Sequence, residues 1–193
     1  MAKVYVMDFD GGTAAQYDGV LREMALGGYL PDGARFHSAG PTPTGFRVID
    51  CWDDAAAFDH FSAEEIGPQT QKQGMRPPRM TVLDVDDGLT GPLTLPEVAM
   101  FIRFAGMDRE MFHRLDDQVL IDGQVPDGMI QHVNGPYDGG WYVVDLWASE
   151  AKRTAFMESR VKPAAASVAL PAEPTIEILP VHGAMVEHAA TRA

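Results

Sequence analysis

The sequence is poor in two things that would narrow its function at once, cysteine and positive charge. Its single cysteine, Cys51, has no partner for an internal disulfide, and no Cys/His spacing suits a zinc site. A reducing compartment, and so the cytoplasm, is the expectation. Lys and Arg number 15 against 28 Asp and Glu, a formal net charge of -13. With no basic cluster, nucleic acid and a polybasic membrane contact are both excluded as partners. No apolar run reaches spanning length, and the opening MAKVYVMDFD lacks the layout of a signal peptide. The glycine pairs Gly11-Gly12 and Gly139-Gly140 do not make a phosphate-binding fingerprint. The 11 methionines are scattered, as flexible core filling would be.

What is present is a repeat. Shifted by 95 residues, the chain matches itself without gaps at 10 of the 22 positions from 31 to 52. Ordinary residue usage would give roughly one or two. Pro31-Asp32-Gly33, His37, Gly40-Pro41, Gly45, Val48, Asp50 and Trp52 return as Pro126-Asp127-Gly128, His132, Gly135-Pro136, Gly140, Val143, Asp145 and Trp147. Phe9, Gly11, Phe61 and Pro68 extend the match to Phe104, Gly106, Phe156 and Pro163.

Each copy reads β-α-β-β-α-β. β-Branched and aromatic runs at 4–9 and 98–104 predict the first strand. Thr13 and Asp108 stand where helix N-caps are needed, with Tyr17, Val20, Leu21 and Met24 on one helical face. Gly27-Gly28 and Gly123 supply the stops. Strands are predicted at 34–39 and 46–52, and at 129–134 and 141–147, with second helices after Asp54 and Ser149 and last strands near 79–85 and 175–179. The fold class is therefore α+β: two tandem ferredoxin-like repeats, 1–88 and 97–185, joined by a linker at 89–96 and followed by a tail at 186–193. A ferredoxin-like sheet leaves one face bare, so the two copies are expected to close as an intramolecular dimeric α/β barrel. The assembly is then a monomer with an internal pseudo-dimer, or a homodimer of it.

Alternation along the third strand places Phe46, Val48, Asp50 and Trp52 on one face, and Trp141, Val143, Asp145 and Trp147 in the second copy. An Asp between bulky residues needs hydrogen bonds or a charge partner. A hairpin closed between Gly40 and Gly45 puts His37 opposite Val48, one diagonal from Asp50, and His132 likewise near Asp145. Two readings stand. The pairs His37/Asp50 and His132/Asp145 could be a general base with its orienting acid at the bottom of an apolar cavity inside the barrel, or they could tie down the hairpin. Trp52, Trp141 and Trp147 could line that cavity or simply pack the core. Differences between the copies add Asn134 (for Ala39), Tyr142 (for Arg47) and Arg103 (for Asp8) as candidate substrate contacts, with His113 and His182 also new, and tilt the expected cavity toward the second half. Asp8 and Arg103 could pair across the pseudo-twofold axis.

The segments Asp50-Cys51-Trp52-Asp53-Asp54 with Phe58 and Phe61, and Asp145-Leu146-Trp147-Ala148-Ser149-Glu150 with Phe156, resemble the acidic-x-Trp-x-Ser motif of the antibiotic biosynthesis monooxygenase family, within the dimeric α/β barrel superfamily. That resemblance spans each repeat. It implies the barrel and, for chemistry, cofactor-independent oxidation of aromatic polyketides or haem degradation. The haem branch would need a helix-two Trp, a His ten residues on and a strand-one Asn; here the helix positions hold Phe61 and Gln71, or Phe156 and Ala166, and neither first strand has Asn. The expectation is an enzyme that uses no metal or flavin on an apolar aromatic or polyketide-like substrate, as a monooxygenase or a related cyclase or isomerase. The competing expectation is a non-catalytic ligand-binding barrel.

Overall fold

The computed structural model describes residues 1–120 and 124–186. By contact the chain forms two compact units, Met1–Asp84 with the residues from Leu179 onward, and Val85–Ile178. In unit 1, β1 (Lys3–Asp10), α1 (Ala14–Met24), β2 (Ala34–Thr42) and β3 (Gly45–Trp52) come first. Then α2 (Ala55–Phe61) runs through a π-wound turn into α3 (Gly67–Lys72), followed by β4 (Arg79–Asp84); a short β5 (Asp87–Thr90) opens unit 2. The second copy repeats the order as β6 (Val98–Ala105), α4 (Arg109–Val119), β7 (Met129–Tyr137), β8 (Gly140–Trp147), α5 (Glu150–Phe156), α6 (Lys162–Ser167), β9 (Thr175–Pro180) and β10 (Gly183–Val186).

The sheets run β10-β2-β3-β1-β4 and β5-β7-β8-β6-β9. The strands β2-β3-β1-β4 and β7-β8-β6-β9 have the order of the split βαβ, so the α+β, twice-repeated ferredoxin-like reading is the architecture observed. The fifth strands were not expected. Asp87–Thr90, read as the end of repeat 1 and the start of the linker, pairs with β7, and Gly183–Val186 pairs with β2. Both are short edge strands without a clean apolar alternation, so composition alone leaves the first across the end of repeat 1 and the linker and the second at the end of repeat 2 and the start of the tail. Gly123 and residues 187–193 lie outside the described residues.

Local chemistry explains the elements. Thr13 accepts from the Gln16 amide while the Gln16 side chain returns to the Thr13 backbone, a full capping box. Asp54, Asp108 and Ser149 cap the other helices in the same sense, each contributing about 1 kcal/mol. The π-wound turns precede Pro68 and Pro163: Gly67 donates to the Ser62 carbonyl and Lys162 to that of Met157. In α register the proline ring would strike the carbonyl four residues back, and the wider turn relieves that clash.

The helices cover one face of each sheet. In unit 1, Tyr5, Met7, Phe9, Phe46, Val48 and Trp52 pack with Tyr17 and Phe58. In unit 2, Met100, Ile102, Phe104, Trp141, Val143 and Trp147 pack with Phe112, Leu115 and Phe156. The β2–β3 register departs from expectation by two residues. The turn is Pro43-Thr44, closing Thr42 on Gly45, so His37 faces Asp50 directly and Ala39 faces Val48. An added Cβ at Gly45 would stand 2.1 Å from the Phe9 carbonyl, and at Gly140 2.1 Å from that of Phe104, which is why both copies keep glycine there. A bulge between Ala34 and Phe36, matched between Met129 and Gln131, resets the alternation so that the histidines reach the helix-covered face.

Candidate functional site

In unit 1, β2 presents His37, β3 presents Asp50 across the ladder, and α1 lowers Tyr17 onto them. His37 Nδ1 lies 2.7 Å from Asp50 Oδ1, and His37 Nε2 lies 2.7 Å from the Tyr17 hydroxyl. The His37 and Asp50 side chains are 12% and 7% exposed, so the bonds form in a poorly solvated setting. Burial, helped by Asp50 and Asp18, pushes the Tyr17 phenol well above its ordinary value, so it keeps its proton. A phenol that keeps its proton can donate to Nε2 in the tautomer whose Nδ1–H donates to Asp50, and in that tautomer Nε2 carries the lone pair of a base. All three residues line a cavity of about 60 Å³ between sheet and helices, several times what one water needs, whose other walls are apolar and include Met7, Leu21, Trp52, Phe61 and Met75. Thr70 also lines it, but its hydroxyl is committed to the Ile66 and Gly67 carbonyls.

Unit 2 keeps the His–Asp pair and changes its surroundings. His132 Nδ1 lies 2.7 Å from Asp145 Oδ1, with side-chain exposures of 6% and 4%. Phe112 stands where Tyr17 stands in the first copy, so no phenol reaches the imidazole. Instead Asn134 Nδ2 lies 3.2 Å from His132 Nε2, and Trp141 Nε1 donates to Asn134 Oδ1 at 3.1 Å. An indole nitrogen can only donate, which fixes the amide: oxygen toward Trp141, NH₂ toward His132. His132 Nε2 must then accept, and its lone pair is taken. The cavity here is smaller, about 40 Å³, and Asp116, whose carboxyl burial pushes up, joins His132 and Asp145 in its wall.

Burial disfavours charge on His132, but Asp145, with Asp116 and Asp87, outweighs it and holds the imidazole above its ordinary value. Charging it breaks the chain, because a protonated Nε2 cannot accept from Asn134. The Trp141 indole N–H resonance is therefore expected to titrate with a midpoint above about 6.5, the ordinary imidazole value. Below that midpoint the bond to Asn134 is lost; above it the bond is made. Asn134→Ala should abolish the titration, and a signal that is flat from pH 5 to 9 in the intact protein contradicts the lock.

Several expectations need correction. The His–Asp pairs do not lie on the sheet face turned away from the helices, where Ile49, Cys51, Val144 and Leu146 are buried. Phe46, Val48, Asp50 and Trp52 share the helix-covered face, because that is where α1 and α2 deliver Tyr17 and Phe58. Arg103 and Tyr142 alternate onto the opposite face from the cavity-lining Ile102 and its ladder partner Val143, so neither reaches the unit 2 cavity. Arg103 instead pairs with Glu177 at 2.5 Å and lies over the Phe101 ring. Within unit 1, Asp8 takes Arg47 at 2.7 Å. Trp147 is fully buried core and does not line the cavity, whereas Trp52 does line its own. Asn134 and Trp141 form the lock around His132 rather than an open substrate contact. His182 belongs to unit 1, bonded to Asp18 at 2.8 Å and edge-on to Tyr17.

Cys51 is buried and its thiol is pushed up to about 12, mainly by burial, so it is inert as a nucleophile. Among the described residues, no three His, Cys, Asp or Glu side chains gather to hold a metal, and no helix is long and apolar enough to cross a membrane. The second helix offers no haem ligand in unit 1: its imidazole, His60, is exposed and faces Glu64 at 3.4 Å, and Phe61 lines the cavity instead.

No family model and no curated protein matches the chain. Solved structures do. A candidate monooxygenase from Fusobacterium nucleatum is similar with a TM-score of 0.76 at 10% identity, over 96% of this chain and 94% of that one. Another from Lactobacillus acidophilus gives 0.72 at 11% identity, over 96% and 97%. An anthrone oxidase-like protein gives 0.52 at 17% identity, over 95% and 92%. At these identities the likeness establishes a shared fold, and only that, across nearly the whole chain.

Proposed function

We propose that the chain is a small-molecule enzyme whose working half is unit 1, oxidising an apolar aromatic or polyketide-like substrate with molecular oxygen and using His37 as its base. The observation that carries this is the Asp50–His37–Tyr17 chain ending in an apolar cavity. A phenol can swing aside, or re-aim at a ligand oxygen, in a way that the tied amide of Asn134 cannot. The names of the similar structures agree with oxygen chemistry but belong to those proteins.

In this reading an activated ring methylene binds with its C–H at His37 Nε2, displacing Tyr17. The proton moves to Nε2, and Asp50 stabilises the imidazolium. The carbanion gives its electrons to O₂, a C–O bond forms, and the peroxide takes the proton. Loss of the second C–H proton to His37 then breaks the O–O bond, and the departing hydroxide takes that proton back from the imidazolium, leaving a ketone and one water. Carbon is oxidised and oxygen reduced in balance, R₂CH₂ + O₂ giving R₂CO + H₂O. The same carbanion serves a cyclase or isomerase when oxygen is not the electrophile. For unit 2, the closed Trp141–Asn134–His132 network favours a structural role.

The test is oxygen uptake by the purified protein with an anthrone-type substrate. The expected result is one O₂ consumed per quinone formed, without accumulating peroxide. Turnover no faster than autoxidation without protein overturns the reading.

A further inference from the structure

Gly183 opens β10, and its backbone is ordinary extended strand, not the left-handed kind that favours glycine. What the position cannot hold is a side chain. An added Cβ would stand 2.4 Å from the Tyr17 hydroxyl oxygen, and 2.7 and 2.9 Å from two carbons of its ring. The strand is held against yielding. The amide of His182 donates to the Ala39 carbonyl at 2.8 Å, and its ring is bonded to Asp18. The Pro180 carbonyl lies so close to Gly40 that a Cβ there would come within 2.1 Å of it. The collision at residue 183 therefore falls on the phenol, whose oxygen is 2.7 Å from His37 Nε2.

The second copy shows the alternative. On the ladders Gly183 lies opposite Ala39 and Asp87 lies opposite Asn134, and Ala39 and Asn134 are the same position of the repeat. Where the first helix carries the phenol of Tyr17, the edge strand carries glycine. Where it carries Phe112, the edge strand carries a full side chain. Three positions thus change together. With Tyr17, Ala39 and Gly183 the polar group at Nε2 comes from the helix; with Phe112, Asn134 and Asp87 it comes from the strand of the histidine itself.

We infer that Gly183 is a positioning residue of the unit 1 site, its bare backbone being the space in which the Tyr17 hydroxyl reaches His37 Nε2. β10 is then a wall of the site as well as a sheet edge, and Met185, two residues on, lines the same cavity. In a close-packed interior an added methyl makes a neighbour move, so the substitution acts through Tyr17. The inference rests on the functional reading above in one respect, that the phenol seated there is the group a substrate displaces. The seat itself is tested without substrate.

The test is a double-mutant cycle on the full chain, with Gly183→Ala, Tyr17→Phe and the two combined, read by urea denaturation and by the imidazole ¹⁵N resonances. Signals are assigned through His37→Gln and His132→Gln. Gly183→Ala should lower the urea midpoint while Tyr17 is present and leave it nearly unchanged in the Tyr17→Phe background, the combination that the second copy uses. In Gly183→Ala the His37 Nε2 resonance should move toward its position in Tyr17→Phe, and the His132 resonances should stay. A glycine kept for packing alone would lower the midpoint equally in both backgrounds and leave the His37 resonance in place; either result overturns the assignment. Should Gly183→Ala not fold, the combined variant is still expected to, and failure of both to fold also overturns it. Oxygen uptake no faster than autoxidation would instead overturn the reaction, on which none of these readings depends.

Discussion

His37→Gln is expected to slow turnover of an anthrone-type substrate by about 10²–10⁴-fold, the usual contribution of a positioned general base. His132→Gln should leave the rate nearly unchanged. Both histidines sit 2.7 Å from an aspartate at the same place in the repeat, so pairing geometry cannot separate them. What separates them is Nε2. In unit 1 that nitrogen faces a phenol that burial keeps protonated and that a ligand can displace; in unit 2 it faces an amide held from behind by Trp141. Gln keeps a polar group near Asp50 but cannot take up a proton, so the loss should fall on kcat with the folded protein retained. Tyr17→Phe should have a smaller effect, since a phenol that is displaced during binding is no longer orienting the base.

The second large effect is on stability. His132→Ala is expected to destabilise the folded protein by about 3–5 kcal/mol, because it strands a carboxylate with no donor in the protein interior. Asp145 is 4% exposed at its side chain, so water cannot replace the lost partner. Replacing both members, His132→Leu with Asp145→Leu, should be far milder than either single change, since the penalty lies in the uncompensated group and not in the missing pair. The midpoint of urea denaturation reads this directly. A single substitution no worse than the double would show that the pair is not buried as described.

The repeat, the element order and the helix starts were legible because each has a local cause. Thr13, Asp54, Asp108 and Ser149 are caps whose side chains reach amides three residues on. The His–Asp pairing was legible in kind, while its register was not. Gly40 and Gly45 look like the ends of a hairpin loop, yet the strands continue to Thr42 and turn through Pro43-Thr44. Which face the pair occupies was hidden by the bulge beside Ala34, which breaks a strict period of two. Tyr17 stood in plain view on the inner face of α1, but nothing local says that a helix residue meets a strand histidine. The useful signal was the exchange of Tyr17 for Phe112 at equivalent positions of the two first helices, together with Ala39 for Asn134. Those two exchanges turn one His–Asp pair toward a cavity and close the other. The edge strands β5 and β10 left no pattern to find, since their pairing is supplied by the exposed backbone of β7 and β2.

The most direct measurement is a crystal structure of the intact protein with a product-like quinone. The predicted result is ring density between sheet and helices of unit 1, the Tyr17 hydroxyl withdrawn from His37, and His37 still joined to Asp50. Density in unit 2 with Asn134 displaced, or a unit 1 cavity that remains shut over an unbroken Tyr17–His37 bond, would contradict the assignment of the reaction to the first copy.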